Sequence, residues 1–196
     1  MHRRRVIIIP GNGSGCEAAN FYPSLASSLR AGGFDAVLRD MPDPNVARSS
    51  IWLPFIIESL GADSESVLVG HSSGAVAALR LAEKNRYYAV VVVSVTDNDL
   101  GDDNERASGY YDAPWDWSAM RRNVQHLIMF ASDDDPFIPI AVQRRVAREL
   151  ESAGLGSVAS GAFEYVELSK RSHFFGRKQP EIESRVAFLA GTGADA

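Results

Sequence analysis

The sequence predicts an α/β domain: a mainly parallel sheet of about six strands with helices on both faces. Two patterns carry that expectation. The runs "VIII" (6–9), "SVLVG" (66–70), "AVVVVSV" (89–95) and "LIMFAS" (127–132) are rich in branched apolar residues and do not alternate with polar ones. Strands buried on both faces of a parallel sheet read this way. Segments of helical spacing lie between them, and strand–helix alternation closes such a sheet through right-handed crossovers. A length of 196 residues, 45% apolar and 23% charged, fits one ordinary globular domain.

Each element has a local reason. The first strand stops at Pro10 and opens into the glycine-rich "PGNGSGC". In "YPSLASSLRAGG", Pro23 suits a helix start and Gly32-Gly33 a helix end. "FDAVL" (34–38) reads as a second strand, and "SIWLPFIIESLG" as the helix before "SVLVG". "GAVAALRLAEKN" repeats Ala and Leu on one face. In "PIAVQRRVARELESAG", Ile140, Val142, Val146 and Leu150 fall near one face. "FEYVEL" (163–168) alternates and so belongs near an edge; "PEIESRVAFLAG" closes the fold. A single domain is expected over 1–190, with no separate cap domain and a frayed tail at 191–196. The small-residue stretch "GLGSVASGAFEY" is expected to be a mobile surface loop.

Composition excludes several classes. A net charge of −5 argues against a nucleic-acid or anionic-membrane surface. One cysteine, Cys16, permits no internal disulfide and suits a reducing compartment. "VIII" is too short for a signal-peptide core, and no apolar run approaches the ~20 residues that span a bilayer. A cytoplasmic monomer is the expectation. Asp102-Asp103 and Asp133-Asp134-Asp135 have no histidine or cysteine beside them at ligand spacing, so no metal is expected.

"VLVGHSSGAV" (67–76) holds the chemistry. A strand, Gly-x-Ser-x-Gly and a helix make a nucleophile elbow, in which the glycines permit a turn tight enough to project Ser72. The following amide, of Ser73, would face developing negative charge at the helix N-terminus. A serine nucleophile needs a base and an orienting acid. His2 lies at the terminus, His71 adjoins the serine and is directed away from it, and His126 begins a strand at the wrong end of the sheet. His173, after the last strand, is the base by elimination. For the acid, Asp135 precedes Pro136, which restricts its backbone, while Asp133 and Asp134 read as a solvated turn. Asp97 and Asp99, after the fourth strand, are the alternative source. The order Ser72, Asp135, His173 is that expected of a triad on this sheet.

"PGNG", "MPDP" with "ARSSIWLPF", "GHSSGA", "LGDDNERASGYY" and "DDPFIP" together resemble the family of small serine hydrolases that includes retinoblastoma-binding protein 9. The resemblance runs from about Val6 to Phe175. It implies a compact α/β-hydrolase fold and no cofactor, with Ser72, Asp135 and His173 as triad and the Asn12 region with the Ser73 amide as oxyanion hole. The Leu-x-Cys-x-Glu motif behind retinoblastoma binding is absent: the region reads "LGADSESV". That partner is not carried over; a small acyl substrate is expected instead.

The loop from Thr96 to Trp117 is long for a compact domain and leaves a strand's carboxyl end, so it is expected to roof the pocket. Tyr110 and Tyr111 are its pocket candidates, while Trp115 and Trp117 could equally pack the core. Phe137 and Phe174 are further candidates for the pocket wall. Two rival readings remain. Gly11, Gly13 and Gly15 with Asp40 could form a dinucleotide site of an oxidoreductase, although Cys16 replaces the third glycine and the helix starts only near Phe21. An interaction protein with a hydrolase fold and little turnover is the other.

Overall fold

The computed structural model describes residues 3–13, 15, 16, 19–155 and 160–191. Six strands, β1 (Arg5–Ile9), β2 (Asp35–Leu38), β3 (Val67–His71), β4 (Tyr87–Val93), β5 (Val124–Ser132) and β6 (Ala162–Leu168), form one sheet ordered β2-β1-β3-β4-β5-β6. Every neighbouring pair is parallel. The helices are α1 (Tyr22–Ala31), α2 (Ser49–Glu58), α3 (Ser73–Lys84), α4 (Asp103–Ala107), α5 (Trp117–Asn123), α6 (Ile140–Gly154) and α7 (Pro180–Gly191). None of the described helices is long and apolar enough to cross a membrane.

The uninterrupted apolar runs follow from a core on each face. Ile7, Leu68, Val90 and Val92 pack with Trp52, Leu79 and Leu150. Their neighbours Val6, Val67, Val69 and Val91 point the other way, onto Phe21, Leu25 and Val186. Each such side chain contributes roughly 1.5–3 kcal/mol. The edge strand β6 is only partly buried, as its alternation requires.

Two helices are absent from the expectation above. Asp102 accepts from the Asn104 and Glu105 amides and starts α4, so the segment 96–117 is not wholly irregular. Asp116 accepts from the Ala119 amide and starts α5. Helix α7 reaches Gly191; the rest of the expected frayed tail, 192–196, and residues 156–159 of the expected mobile loop lie outside the described residues.

Strand order reverses between β1 and β3, so their connections leave in opposite directions and open a crevice at their carboxyl ends. The 10–16 loop and Ser72 both emerge there.

Candidate active site

Ser72 joins β3 to α3 with φ 54° and ψ −122°. Such a backbone costs a non-glycine residue about 1–3 kcal/mol and persists only where its surroundings enforce it. Here its amide donates to the Val93 carbonyl at 2.9 Å, and its carbonyl accepts from the Ala75 and Val76 amides. The flanking glycines are required by close approach. A Cβ on Gly70 would stand 2.3 Å from the Gly74 carbonyl oxygen, and one on Gly74 the same distance from that of Ile9.

The structure brings His173 and Asp135 together. His173 Nδ1 lies 3.0 and 2.9 Å from the Asp135 carboxylate oxygens, which are fully buried. Asp135 also accepts from the Phe137 and Ile138 amides and from the Ser94 hydroxyl at 2.8 Å. Burial alone would push its carboxyl up. The His173 hydrogen bond and charge, with the two amides, outweigh burial and hold it below its ordinary value. With Nδ1 engaged, Nε2 is the nitrogen left for Ser72. The two share a cavity of about 660 Å³. Among the described residues the Ser72 hydroxyl has no hydrogen-bond partner, so shared cavity walls, and no formed bond, link it to His173.

Asp133 and Asp134, read from sequence as a solvated turn, grip the histidine's loop. Asp133 accepts from the Lys170 amide at 3.1 Å, and Asp134 from the Ser172 amide at 2.7 Å and the Ser132 hydroxyl. Lys170, Ser172 and Phe174 have φ of 59°, 51° and 53°, so left-handed backbone flanks His173 on both sides. The alternative acids are committed elsewhere: Asp97 takes both guanidinium arms of Arg145, and Asp99 pairs with Arg106.

Asn12 and Ser73 both line the cavity. The Gly11 amide is spent on the Tyr22 hydroxyl and the Gly13 amide on the Pro44 carbonyl. Among the described residues the Asn12 and Ser73 amides donate to no internal acceptor, which leaves both for a ligand oxygen. Their side chains meet on a residue the sequence reading missed. Glu105 accepts from the Asn12 side-chain amide at 3.0 Å, the Ser73 hydroxyl at 3.3 Å and the Tyr111 hydroxyl at 3.1 Å. Burial pushes its carboxyl above the ordinary value despite these donors.

The pocket wall differs from expectation by one residue in two places. Tyr111 lines the cavity, whereas Tyr110, 1% exposed, faces the core. Phe175 lines it, whereas Phe174 is wholly buried against α1 and α7. Both pairs sit at turns, and each splits between core and cavity. Phe137 is at the cavity as expected, edge-on to His173 with ring centres 5.1 Å apart. Trp115 and Trp117 stack on each other at 5.2 Å and pack against the core. Arg80 holds this loop: its guanidinium donates to the carbonyls of Tyr110, Ala113 and Pro114 and to Glu83, and lies over the Trp115 ring.

The dinucleotide alternative fails on geometry. Helix α1 starts at Tyr22, well past Gly15, so the helix that follows the glycine loop does not open at it as a dinucleotide site requires. The Cys16 amide already occupies Asp40. Among the described residues no group of His, Cys, Asp or Glu is placed to hold a metal ion.

Comparison with known proteins bears on this geometry. A family model described as "Serine hydrolase" matches residues 6–165, a span that includes Ser72 and Asp135 and stops short of His173. The chain is 43% identical over 165 residues to serine hydrolase RBBP9 of Rattus norvegicus, covering 83% of this chain and 89% of that protein. The ydeN gene product of B. subtilis superposes with a TM-score of 0.79 at 21% identity, over 95% of this chain and 98% of its own. MGS-M1, an α/β hydrolase enzyme from a deep-sea metagenome library, superposes at 0.57 and 18% identity over 86% and 69%.

Proposed function

The chain belongs to the serine hydrolase family and has a compact α/β-hydrolase fold, and from that premise we propose that it cleaves a small ester, thioester or amide through an acyl-enzyme on Ser72. His173 Nε2 takes the hydroxyl proton as Ser72 attacks the carbonyl. Asp135 keeps the imidazole in the tautomer with hydrogen on Nδ1 and stabilises the imidazolium that forms. The Asn12 and Ser73 amides receive the oxyanion, each worth ~3 kcal/mol at the transition state. His173 then protonates the leaving group, and water repeats the sequence to release the acid. Tyr111, Phe137 and Phe175 give the acyl or leaving group an apolar wall, and no cofactor enters any step.

One observation carries this reading. A serine in strained backbone shares its cavity with an imidazole whose other nitrogen is fixed by a buried carboxylate. A panel of nitrophenyl esters and aryl amides of graded acyl length tests it. Turnover of at least one substrate class, abolished in Ser72→Ala, is expected. Equal turnover by Ser72→Ala would refute the reading.

A further inference from the structure

Two buried titratable side chains have no part in the steps above: Tyr22, opening α1, and His71, closing β3. They are 1% and 2% exposed. A histidine and tyrosine in a core are often no more than satisfied filling. Here every polar atom of both is used, and the bonds run to three different segments of the site.

The Tyr22 hydroxyl accepts from the Gly11 amide at 3.0 Å and from the Asn20 side-chain amide at 3.1 Å. It lies 2.6 Å from His71 Nδ1. His71 Nε2 lies 2.9 Å from the main-chain carbonyl of His173. A carbonyl only accepts, so Nε2 carries the hydrogen. A neutral imidazole then leaves Nδ1 as an acceptor, matched by the single proton of the Tyr22 hydroxyl. Burial, followed by the neighbouring His173, pushes the His71 pKa down to about 3, which keeps the ring neutral in ordinary buffers. Burial likewise pushes the Tyr22 phenol up. An imidazolium–phenolate pair would make the same four bonds, but burial opposes both of its charges.

Each end of this chain touches working parts. A Cβ on Gly11 would stand 3.1 Å from the Ser72 Cβ, so the loop bearing Asn12 packs directly on the elbow. His71 is covalently next to Ser72. Its ring lies 4.7 Å from the His173 ring, and its hydrogen bond catches His173 between two residues of left-handed backbone.

The geometry points to Tyr22 and His71 as positioning residues: a buried strut that sets the spacing between the Asn12 amide, Ser72 and His173. The inference rests on the acyl-transfer reading above. A displacement of about 1 Å can cost on the order of 10²-fold in rate, so a strut joining donor, nucleophile and base acts on chemistry more than on binding.

Tyr22→Phe keeps the ring in place and removes only the hydroxyl. Below its melting temperature it should lose roughly 10- to 100-fold in kcat on a small ester, with KM within about twofold. His71→Gln places an amide nitrogen about where Nε2 sits and should retain more turnover than His71→Leu, which fills similar space without a donor. Wild-type kcat in folded Tyr22→Phe, or equal turnover by the two His71 variants, would overturn the strut. If Tyr22→Phe does not fold, the His71 pair decides. Ser72→Ala measured alongside separates the claims. Turnover in that variant removes the acyl-transfer reading itself, whereas its loss together with a fully active Tyr22→Phe removes the strut alone.

Discussion

Around His173, main-chain N–H groups reach carboxylates: Lys170 to Asp133, Ser172 to Asp134, with Asp135 on the ring itself. Across the cavity, in the segment 96–117, main-chain carbonyls reach a cation, the Arg80 guanidinium. The first set of anchors is local to His173, and Asp133 and Asp134 are exposed. The second is a single guanidinium side chain, 8% exposed. Placing a base needs several short, directed bonds at adjacent residues, because small displacements are costly in rate. Holding a wall needs only that the wall stay put, and one five-donor group can supply that.

Substitutions on the two sides should therefore fail differently. Asp135→Asn should produce the largest loss, about 10⁴-fold in kcat, as loss of the correct imidazole tautomer does in serine proteases. Asp97→Asn, at the alternative acid, should keep substantial turnover; steady-state kinetics on the two variants would move the acid if the ranking reversed. Arg80→Met should act on stability instead. It orphans three carbonyls and Glu83, a cost of at least about 3 kcal/mol in a denaturant titration. The folded fraction should still turn over, and inactive but fully stable protein would contradict the division.

Asp134→Ala should cost several-fold in kcat and little in stability. The Ser132 hydroxyl, and then the Ser172 amide, hold the Asp134 carboxyl below its ordinary value. A depressed carboxyl contributes fully at neutral pH and loses its share as the pH falls through that lowered value. The gap between wild type and Asp134→Ala should thus close only in acid. Glu105 gives the smallest effect and the opposite sign. Burial raises its carboxyl, so its charge opposes folding at neutral pH and the penalty lifts as the pH falls through the raised value. The melting temperature of wild type should rise relative to Glu105→Gln between neutral and mildly acid pH; a constant difference would show that the charge costs nothing.

The same contrast explains what the sequence disclosed. β1, β3, β4 and β5 were legible because burial on both faces leaves no polar alternation. Gly70 and Gly74 were legible because local chain geometry demands them. His173 emerged by elimination among four histidines. Asp133 and Asp134 did not, because their partners lie 37 and 38 residues away and leave no local pattern. Tyr110 and Tyr111, like Phe174 and Phe175, belong to segments without a repeating period, so nothing in the sequence fixes which of two neighbours faces the cavity. Short α4 and α5 have too few turns for a periodic signal, yet Asp102 followed by Glu105 is a capping pattern that could have located both α4 and its cavity carboxylate. The Tyr22–His71 contact joins residues 49 apart and is visible only in three dimensions.

The central claim is that Ser72 is the covalent nucleophile. Its most direct test is labelling with a fluorophosphonate, followed by peptide mapping of the adduct. The account predicts one adduct, on the peptide containing Ser72, that disappears in Ser72→Ala while the variant remains folded. An adduct on another serine, or undiminished labelling of Ser72→Ala, would contradict it.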